Sequence, residues 1–421
     1  MQSAAAGNVE RLSVSLTLEQ DEIIQQCLCQ LSNPEFETKR ILVQGKAETG
    51  KSPVIKALVY LIGNHDRSFT SDNRSSFEVL APTGAAAVNV SGKTIHSFLK
   101  IPTGSFKELK GESLRNFQLQ MEPIRCFIFD EYSMIGLRML HKIETRCREG
   151  KGSDEPFGGL FVYFFGDLRQ LPPVKDLALY SEPTDQYGNR GKAAFGSIQL
   201  KVILETSHRQ DLTNQRFRDI LDSVAIGRSI NDWEILMQRR QAIQSEVEKQ
   251  RFNDAIRLFP TNELVRQYNE RFMSRSGRVV AKISAEHNNS IARRGTDEQA
   301  HGLPSVLFLS IGCRIMLRKN LWVDKGLVNG SLGTIKDIVF EVGIRPPNLP
   351  AFLLVKFDNY QGPFLHDDLF PIFITTVTWK EKDIECRRRQ FPVSVAYALT
   401  IHKAQGILEK KKPFLVFLMW R

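Results

Sequence analysis

The chain has 421 residues, enough for two or three domains that each bury a core. Its composition, 42% hydrophobic and 25% charged, is typical of an ordinary soluble globular protein and argues against a disordered or fibrous one. The 57 Lys and Arg residues outnumber the 47 Asp and Glu residues, so the net charge of +10 favours a polyanionic partner such as nucleic acid, but only weakly.

The six cysteines are scattered without paired C-x-x-C spacing. This pattern supports neither a zinc site nor a disulfide framework, and a reducing compartment is expected. No stretch reaches the ~18 consecutive apolar residues of a membrane span. The first residues lack the charged and apolar regions of a secretory signal, and residues 1–15 are predicted to be disordered.

The first predicted helix begins within residues 16–24, with Thr17 as its N-cap. An apolar, β-branched run at residues 40–44 predicts a buried strand, and residues 53–61 predict a second helix. The connection between them, residues 45–52, reads Gly-Lys-Ala-Glu-Thr-Gly-Lys-Ser and matches G-x-x-x-x-G-K-[ST] at every fixed position.

This phosphate loop (residues 45–52) predicts a nucleotide site. Its glycines let the backbone curl, so that successive N–H groups point at phosphate oxygens. Lys51 supplies a positive charge for the β- and γ-phosphates, and Ser52 supplies a hydroxyl for Mg²⁺. The helix N-terminus that follows favours an anion. Glu48 is unusual here because it would put a carboxylate beside a triphosphate.

Further along, the polar residues 64–76 predict a surface loop and residues 77–81 predict a strand. A turn and a small-residue helix follow at residues 82–87. His96, taken alone, is more typical of a structural histidine than of a ligand. Residues 100–122 combine turn signals with mixed charge and predict a small inserted element.

An apolar strand then delivers two carboxylates, Asp130 and Glu131, at its carboxyl end, where α/β sheets bind ligands. Asp130 can hold Mg²⁺ and Glu131 can polarise an attacking water. An Asp-Glu pair alone is a weak signal, and the preceding phosphate loop makes it specific. A second buried strand over residues 160–167 leads to Gln170, which could sense the γ-phosphate.

These motifs resemble those of the Pif-type (petite integration frequency) DNA helicases of superfamily 1, including the copies carried by Helitron transposons. The resemblance runs from about residue 16 to residue 406. It rests on Ala-Pro-Thr-Gly-Ala-Ala-Ala at 81–87, Gly-Lys-Thr-Ile-His-Ser at 92–97, Phe-Asp-Glu-Tyr-Ser-Met at 129–134, Pro-Phe-Gly-Gly at 156–159 and Gly-Asp-Leu-Arg-Gln-Leu-Pro-Pro-Val at 166–174. It implies an α/β fold with two RecA-like P-loop lobes, parallel sheets and a small inserted SH3-like β-barrel.

The resemblance also implies ATP and Mg²⁺ as cofactors and assigns residues to them. Gln20 would contact adenine, Gln170 would sense the γ-phosphate, and Arg209 would reach the γ-phosphate from the second lobe. The implied catalytic residues are Lys51, Asp130, Glu131, Gln170 and Arg209, with Ser52 and Asp130 as metal ligands. The implied nucleotide-binding residues are Gln20, Gly45, Thr49, Gly50, Lys51, Ser52, Gln405 and Gly406.

The partners implied by the resemblance are single-stranded DNA and DNA forks, with no membrane and a monomeric protein. Residues 81–98 would touch the single strand, and the insert at residues 100–122 would act as a small wedge. Backbone contacts would also come from the motif at residues 391–406. The implied DNA-binding residues are Pro82, Thr83, Gly84, Thr94, His96, Thr400, His402 and Lys403.

The predicted domain boundaries follow from the same resemblance and from the positions of the predicted strands. Four strands are predicted in the β insertion, at residues 312–317, 333–340, 352–357 and 372–379, and the polar residues 284–302 predict a loop. The predicted order is a first lobe at 16–204, the beginning of a second lobe at 205–309, the SH3-like insertion at 310–380, the return to the second lobe at 381–408 and an atypical tail at 409–421.

The tail leaves two functions open. The family continues with a Tyr-Val-Ala-Leu-Ser-Arg segment that donates a second arginine to ATP, and residues 407–421 contain no matching segment. The first expectation is a 5′→3′ ATP-dependent DNA helicase in repair, recombination and telomere maintenance, in the nucleus or the mitochondrion. The alternative is a truncated remnant that binds ATP and single-stranded DNA with little hydrolysis or unwinding. A P-loop kinase or GTPase is disfavoured because residues 81–98 would then have no role.

Overall fold

The computed structural model describes residues 16–33, 35–46, 49–69, 75–102, 104–205, 215–228, 233–238, 244–252, 255–365 and 368–405. The chain divides into two compact units, residues 1–230 and residues 231–421. The predicted lobe boundary at residues 204 and 205 is followed by residues 206–214, which lie outside the described residues. That boundary therefore stays a prediction.

The first unit is an α/β domain built on one parallel sheet, as the sequence predicts. Its six strands are hydrogen-bonded in the order β3-β2-β4-β5-β1-β6, with parallel pairing throughout. Its elements are α1 (Leu18–Ser32), β1 (Arg40–Gly45), α2 (Lys51–Phe69), β2 (Phe77–Ala81), α3 (Gly84–Asn89), β3 (Lys93–Thr94), α4 (Ile95–Phe98), α5 (Gly111–Met121), β4 (Cys126–Phe129), α6 (Leu137–Lys151), β5 (Phe161–Gly166), α7 (Gln186–Gly196), β6 (Leu200–Leu204) and α8 (Gln215–Ala225).

Side chains alternate along the central strands, so each face of the sheet carries its own core. Phe127 and Phe129 of β4 pack into one core with α4, α5 and α6, whereas Ile128 packs into the other with α1 and α2. Strands buried on both faces are apolar along their whole length, which is why β4 and β5 read as continuous hydrophobic runs. Both faces of the sheet are thereby packed in apolar cores.

The start of α1 is fixed by a capping box, which confirms Thr17 as the N-cap. The Thr17 hydroxyl accepts from the backbone N–H of Gln20 at 3.3 Å, and the Gln20 side-chain oxygen accepts from the backbone N–H of Thr17 at 3.1 Å. This reciprocal pair satisfies two amides that would otherwise lack partners at the helix end. It also fixes the position of the Gln20 side chain.

One prediction for the first unit needs correction, and another gains detail. The loop predicted at residues 64–76 is wrong at its beginning, because α2 continues through residues 64–69, where no glycine or proline interrupts the helix. The insert predicted at residues 100–122 contains the helix α5. That helix buries Phe117 and Met121 in the core beside α6, so its apolar residues anchor it to the domain.

The second unit is mostly antiparallel. A five-stranded sheet has the order β14-β13-β12-β11-β17, and β15, β16 and β9 form a three-stranded sheet. Among the described residues, the parallel part of the expected second lobe is the pair of strands β7 and β18. The elements are α9 (Trp233–Gln238), α10 (Glu246–Arg251), β7 (Arg257–Phe259), α11 (Asn262–Arg275), β8 (Ala281–Ser284), β9 (Glu286–His287), α12 (Ser290–Arg294), β10 (Val306–Leu309), β11 (Arg314–Leu317), β12 (Leu332–Val339), β13 (Phe352–Phe357), β14 (Phe370–Ile372), β15 (Thr375–Glu381), β16 (Ile384–Gln390), β17 (Val393–Val395), β18 (Ala398–Thr400) and α13 (Ile401–Ala404).

The strands predicted between residues 310 and 380 are present, but the sequence missed β16 and misread residues 284–302 as a loop. That segment contains β9 and α12, whose first turn is capped by the Asn289 side chain accepting from the Ala292 N–H at 2.7 Å. The segment is ordered because the fully buried Arg388 of β16 donates to two of its backbone carbonyls, those of Ala292 and Gly295, and to the carbonyl of Leu303 directly after it. No helix in the described part of the chain has both the length and the apolar character needed to cross a membrane.

Candidate nucleotide site and nucleic-acid contacts

The order of the parallel strands brings three loops together. The phosphate loop follows β1, Asp130 and Glu131 follow β4, and Asp167 follows β5. Because β4, β5 and β1 are neighbours, these three carboxyl ends lie side by side at one edge of the sheet. This edge is where open α/β sheets bind their ligands.

The described part of the phosphate loop is held by its own carbonyl groups. The Lys51 ammonium donates to the carbonyls of Gly45 at 2.6 Å and Lys46 at 2.8 Å, and the Thr49 hydroxyl donates to the Lys46 carbonyl at 2.9 Å. Gly50 has φ +85°, which is the left-handed region that favours glycine. A Cβ atom on Gly45 would lie 2.5 Å from the Thr49 hydroxyl oxygen, so both glycines are sterically required.

The electrostatics of the site couple one cation to three carboxylates. Burial lowers the pKa of Lys51, and the charges of Glu131, Asp167 and Asp130 oppose that shift. Burial and the neighbouring Glu131 raise the pKa of Asp130 to about 6, which is partly offset by Lys51. The site thus concentrates charged groups in a poorly solvated place, where pKa shifts are typical of function.

Glu131 has an unusual backbone. Its φ of 54° and ψ of 44° put a non-glycine residue in the left-handed region, immediately before a 3₁₀ turn at Tyr132–Met134. Such a conformation costs about 1–2 kcal/mol relative to the right-handed one. It turns the chain sharply at the end of β4, so that Asp130 and Glu131 both stay at the carboxyl edge of the sheet.

Behind the carboxylates lies a polar network that the sequence did not predict. The Gln44 amide donates to Asp167 at 2.6 Å, and the Gln44 oxygen accepts from the Tyr132 hydroxyl and from the Leu168 N–H at 3.2 Å. The network joins β1, β4 and β5 and fixes the Asp167 carboxylate near Lys51. Asp167 and Tyr132 lie within the quoted motifs and Gln44 directly precedes the phosphate loop, which was the available signal.

Gln20 links α1 to the phosphate loop. Its side chain is buried, with 1% exposed, and its amide nitrogen donates to the Thr49 carbonyl at 3.1 Å. The structure therefore places Gln20 beside the loop, as an adenine contact would require. That contact itself stays a prediction.

The other predicted nucleotide-binding residues lie on several different elements. Ser52 lies in the first turn of α2, and Gln170 lies in the turn after β5, where its N–H donates to the Asp167 carbonyl at 3.0 Å. Gln405 is the C-cap of α13 in the second unit. Three residues fall outside the described ranges, namely Glu48, Arg209 and Gly406. The atypical tail at residues 409–421 lies outside them as well.

The donor set fits Mg²⁺. The described residues contain no group of three or more His, Cys, Asp and Glu side chains that could hold a metal ion by themselves. Mg²⁺ in nucleotide sites is usually bound through one or two carboxylates, phosphate oxygens and water. The hydroxyl of Ser52, the last residue of the phosphate loop, and the nearby Asp130 carboxylate meet that requirement.

The predicted DNA residues of the first unit lie at the carboxyl ends of β2 and β3. The Thr83 hydroxyl caps α3 by accepting from the Ala86 N–H at 3.2 Å, and the Thr94 hydroxyl caps α4 by accepting from the Ser97 N–H at 3.4 Å. The Thr83 hydroxyl hydrogen remains able to donate. Burial and the nearby Lys142 lower the pKa of His96, which favours its neutral form. Pro82 and Gly84 flank the first cap.

In the second unit, the predicted DNA residues Thr400, His402 and Lys403 lie where β18 meets α13. Thr400 is buried and its hydroxyl accepts from the Lys403 N–H at 3.4 Å. Burial and then Arg318 lower the pKa of Lys403 to about 8. Thr400 thus acts as a helix cap, and Lys403 is the charged member of the group.

A phosphate loop, an acidic pair and a third carboxylate at the edge of a parallel sheet define the class of P-loop nucleotide-binding proteins. Within that class, the model of the PIF1-like helicase family matches residues 15–223 and the model of the 2B domain of DNA helicase Pif1 matches residues 299–338. The two matches together span more than half of the chain. The chain belongs to the PIF1-like helicase family.

Curated relatives agree with this assignment. The chain is 29% identical over 378 residues to the ATP-dependent DNA helicase PIF1 of Xenopus laevis, covering 89% of this chain and 54% of the relative. It is 27% identical over 373 residues to the ATP-dependent DNA helicase Pif1 of Bdellovibrio bacteriovorus, covering 87% of this chain and 76% of the relative. The chain spans about half the length of the Xenopus relative.

Solved structures with the same fold include Pif1 helicases. The crystal structure of Pif1 from Candida albicans has a TM-score of 0.66 at 23% identity and covers 93% of this chain and 86% of that one. The Bacteroides Pif1 in complex with ADP-AlF3 and single-stranded DNA has a TM-score of 0.66 at 22% identity, covering 96% and 86%. The likeness supports the α/β fold with an additional β domain.

Proposed function

We propose that this chain is an ATP-dependent DNA helicase that couples Mg-ATP hydrolysis to 5′→3′ movement on single-stranded DNA. The observation that carries the proposal is the coupling of Lys51 to Glu131, Asp167 and Asp130 at the carboxyl edge of the parallel sheet. Its relatives are named ATP-dependent DNA helicases, and a related Bacteroides structure contains ADP-AlF3 and single-stranded DNA.

In the proposed mechanism, the Lys51 ammonium exchanges its bonds to the Gly45 and Lys46 carbonyls for contacts with the β- and γ-phosphates. Ser52 and Asp130 would hold Mg²⁺, which would supply positive charge to the phosphates. Glu131 accepts a proton from the attacking water, and Gln170, in the turn that begins at Asp167, responds to the γ-phosphate. Arg209 completes the charge stabilisation from outside the described residues.

The DNA contacts form the second half of the proposal. Thr83, Thr94 and Lys403 would hold the backbone of a single strand by hydrogen bonds and charge, without reading its bases. The biological setting that fits is repair, recombination and telomere maintenance at forks by a monomer, in the nucleus or the mitochondrion. A Helitron-like origin belongs to the same proposal.

The experiment is unwinding of matched duplexes that differ only in carrying a 5′ or a 3′ single-stranded tail. The proposal expects strand separation of the 5′-tailed duplex with ATP and Mg²⁺. Lys51→Ala should abolish it and weaken ATP binding by at least ~10-fold, because charge-assisted contacts are lost. Unwinding from the 3′ tail would overturn the polarity. Binding of ATP and DNA without turnover would favour the alternative, a binding protein with little hydrolysis.

A further inference from the structure

A half-buried pair of cations in the second unit has no hydrogen-bonding or ion-pair partner among the described residues. Arg318 directly follows β11, and Lys403 lies in α13. Neither side chain makes a hydrogen bond or an ion pair with any described residue, although each is removed from water far enough for burial to lower its pKa. Cations in such surroundings are ordinarily paired, because desolvation of an unpaired charge is costly.

The strand β11, which Arg318 follows, and the helix α13, which carries Lys403, pack in one apolar cluster, so the two cations lie in the same part of the second unit. Arg318 is the charged group that acts on Lys403, and it does so as a repulsion. The carboxylate that acts on Arg318 is Asp297. Asp297 is already engaged, because it accepts from Arg388 at 3.0 Å and from the Ser305 N–H at 3.2 Å. Arg318 and Arg388 therefore share one carboxylate, and the charge that acts on Lys403 is a further cation, which leaves an excess of positive charge.

The backbone beside Arg318 is fixed by hydrogen bonds. Gly302, with φ +86°, approaches so closely that a Cβ atom there would lie 3.2 Å from a terminal nitrogen of the Arg318 guanidinium. The loop that carries Gly302 is fixed at both ends by the buried Arg388, which donates to the carbonyls of Gly295 at 2.5 Å and Leu303 at 2.7 Å. On its other side, the Arg318 N–H donates to the Pro392 carbonyl at 2.8 Å.

We propose that Arg318 and Lys403 together form a binding site for one backbone phosphate of single-stranded nucleic acid, with Arg318 as a contact that no sequence motif indicates. A phosphodiester supplies the missing negative charge, and its oxygens accept hydrogen bonds from both an ammonium and a guanidinium. The repulsion between the two cations is then replaced by attraction to a shared anion. Arg388 acts through the Gly302 loop as a positioning residue.

This inference rests on the proposed function, but substitution of Arg318 tests the phosphate site separately from ATP binding. The variant is Arg318→Gln, which removes the charge and keeps a long polar side chain. Arg318→Lys keeps the charge, and Lys336→Gln removes an exposed lysine of β12 in the same unit. Binding of a fluorescein-labelled thymidine oligonucleotide is followed by anisotropy over a series of salt concentrations.

Loss of one phosphate contact should reduce the slope of log K against log salt by about 0.7, the value for single strands. Arg318→Gln should show this reduction and bind the oligonucleotide about three- to tenfold more weakly, whereas Arg318→Lys and Lys336→Gln should keep the wild-type slope. ATP affinity should be unchanged in all three. Equal slopes in wild type and Arg318→Gln, or a loss confined to ATP binding, would overturn the assignment.

A measurement on the wild-type protein covers the case in which Arg318→Gln does not fold. Acylation of lysine amines at pH 8 is read by mass spectrometry with and without the oligonucleotide. The oligonucleotide should protect Lys403 and leave Lys336 as reactive as before. If the protein binds DNA and the reactivity of Lys403 does not change, the phosphate site is contradicted but the proposed function is not. Failure of the wild type to bind any single strand would instead remove the proposed function and, with it, this inference.

Discussion

At the scale of single residues, the candidate site depends on charges that the fold keeps out of water. Lys51 is balanced by three carboxylates, whereas the charge that acts on Lys403 among the described residues is another cation. The sequence predicted both lysines, one from the phosphate loop and one from the resemblance. It could not predict their surroundings, because Asp167 and Arg318 lie far along the chain from them.

At Glu131, a substitution that raises the stability of the fold should also remove ATP hydrolysis. Glu131→Gly relieves the left-handed backbone, so the free energy of unfolding should rise by about 1 kcal/mol relative to Glu131→Gln. Both variants should lose ATP hydrolysis, because neither has a carboxylate to accept a proton from water. Denaturant unfolding of the two variants side by side measures the difference. A glycine variant no more stable than the glutamine variant would contradict the strain.

Lys403 should make DNA binding depend on pH. With its pKa lowered to about 8, the ammonium loses its proton as the pH rises from 7 to 9, so affinity for a single strand should fall about three- to tenfold. The effect of pH on the stability of the fold has the opposite sign. The unfolded chain binds more protons than the fold above pH 8, so this residue's contribution to the free energy of unfolding increases with pH.

Lys403→Arg is the control for this prediction, because an arginine keeps its charge throughout the range. Arg318 is the group whose charge acts on Lys403 among the described residues, and Asp297 acts in turn on Arg318. Oligonucleotide titrations at several pH values and constant ionic strength test whether Lys403 is the group whose titration changes DNA affinity. Parallel pH profiles for wild type and Lys403→Arg would show that another group titrates.

At the scale of elements, most helices and strands of the first unit follow from their sequence, because apolar runs and caps are local signals. The exceptions depend on distant partners. The strand β16 is rich in arginine and reads as a solvated segment, yet its Arg388 is fully buried because carbonyl groups about 85 to 96 residues away in the chain surround it. The network of Gln44, Tyr132 and Asp167 is likewise assembled only by the strand order.

The first turn of α1 should separate a structural role from a nucleotide role. Thr17→Ala removes the hydroxyl that caps the helix but keeps the N–H that holds Gln20, so it should cost about 1 kcal/mol of stability with little effect on ATP affinity. Gln20→Ala also removes the bond to the Thr49 carbonyl and should weaken ATP binding several-fold. Titration of a fluorescent ATP analogue distinguishes them. Equal ATP affinities in the two variants would make Gln20 a purely structural residue.

At the scale of the whole molecule, the chain combines a rigid parallel-sheet unit that carries the nucleotide site with a mostly antiparallel unit that carries further basic residues. The phosphate loop could be predicted from motif spacing alone, and the class of fold from the family resemblance that the motifs carry. The roles of Arg209 and of the tail stay predictions, because both lie outside the described residues. The net charge of +10 should make binding to single-stranded DNA decrease steeply with salt through counterion release.

The central claim is that the site at the edge of the first sheet hydrolyses ATP in response to DNA. The most direct measurement is the steady-state rate of Mg-ATP hydrolysis with and without single-stranded DNA, for wild type and Glu131→Gln. The account predicts a rate that increases severalfold on addition of DNA, and a fall of at least ~100-fold in the variant with ATP binding retained. A wild-type rate that DNA does not change, or a Glu131→Gln variant as active as wild type, would contradict it.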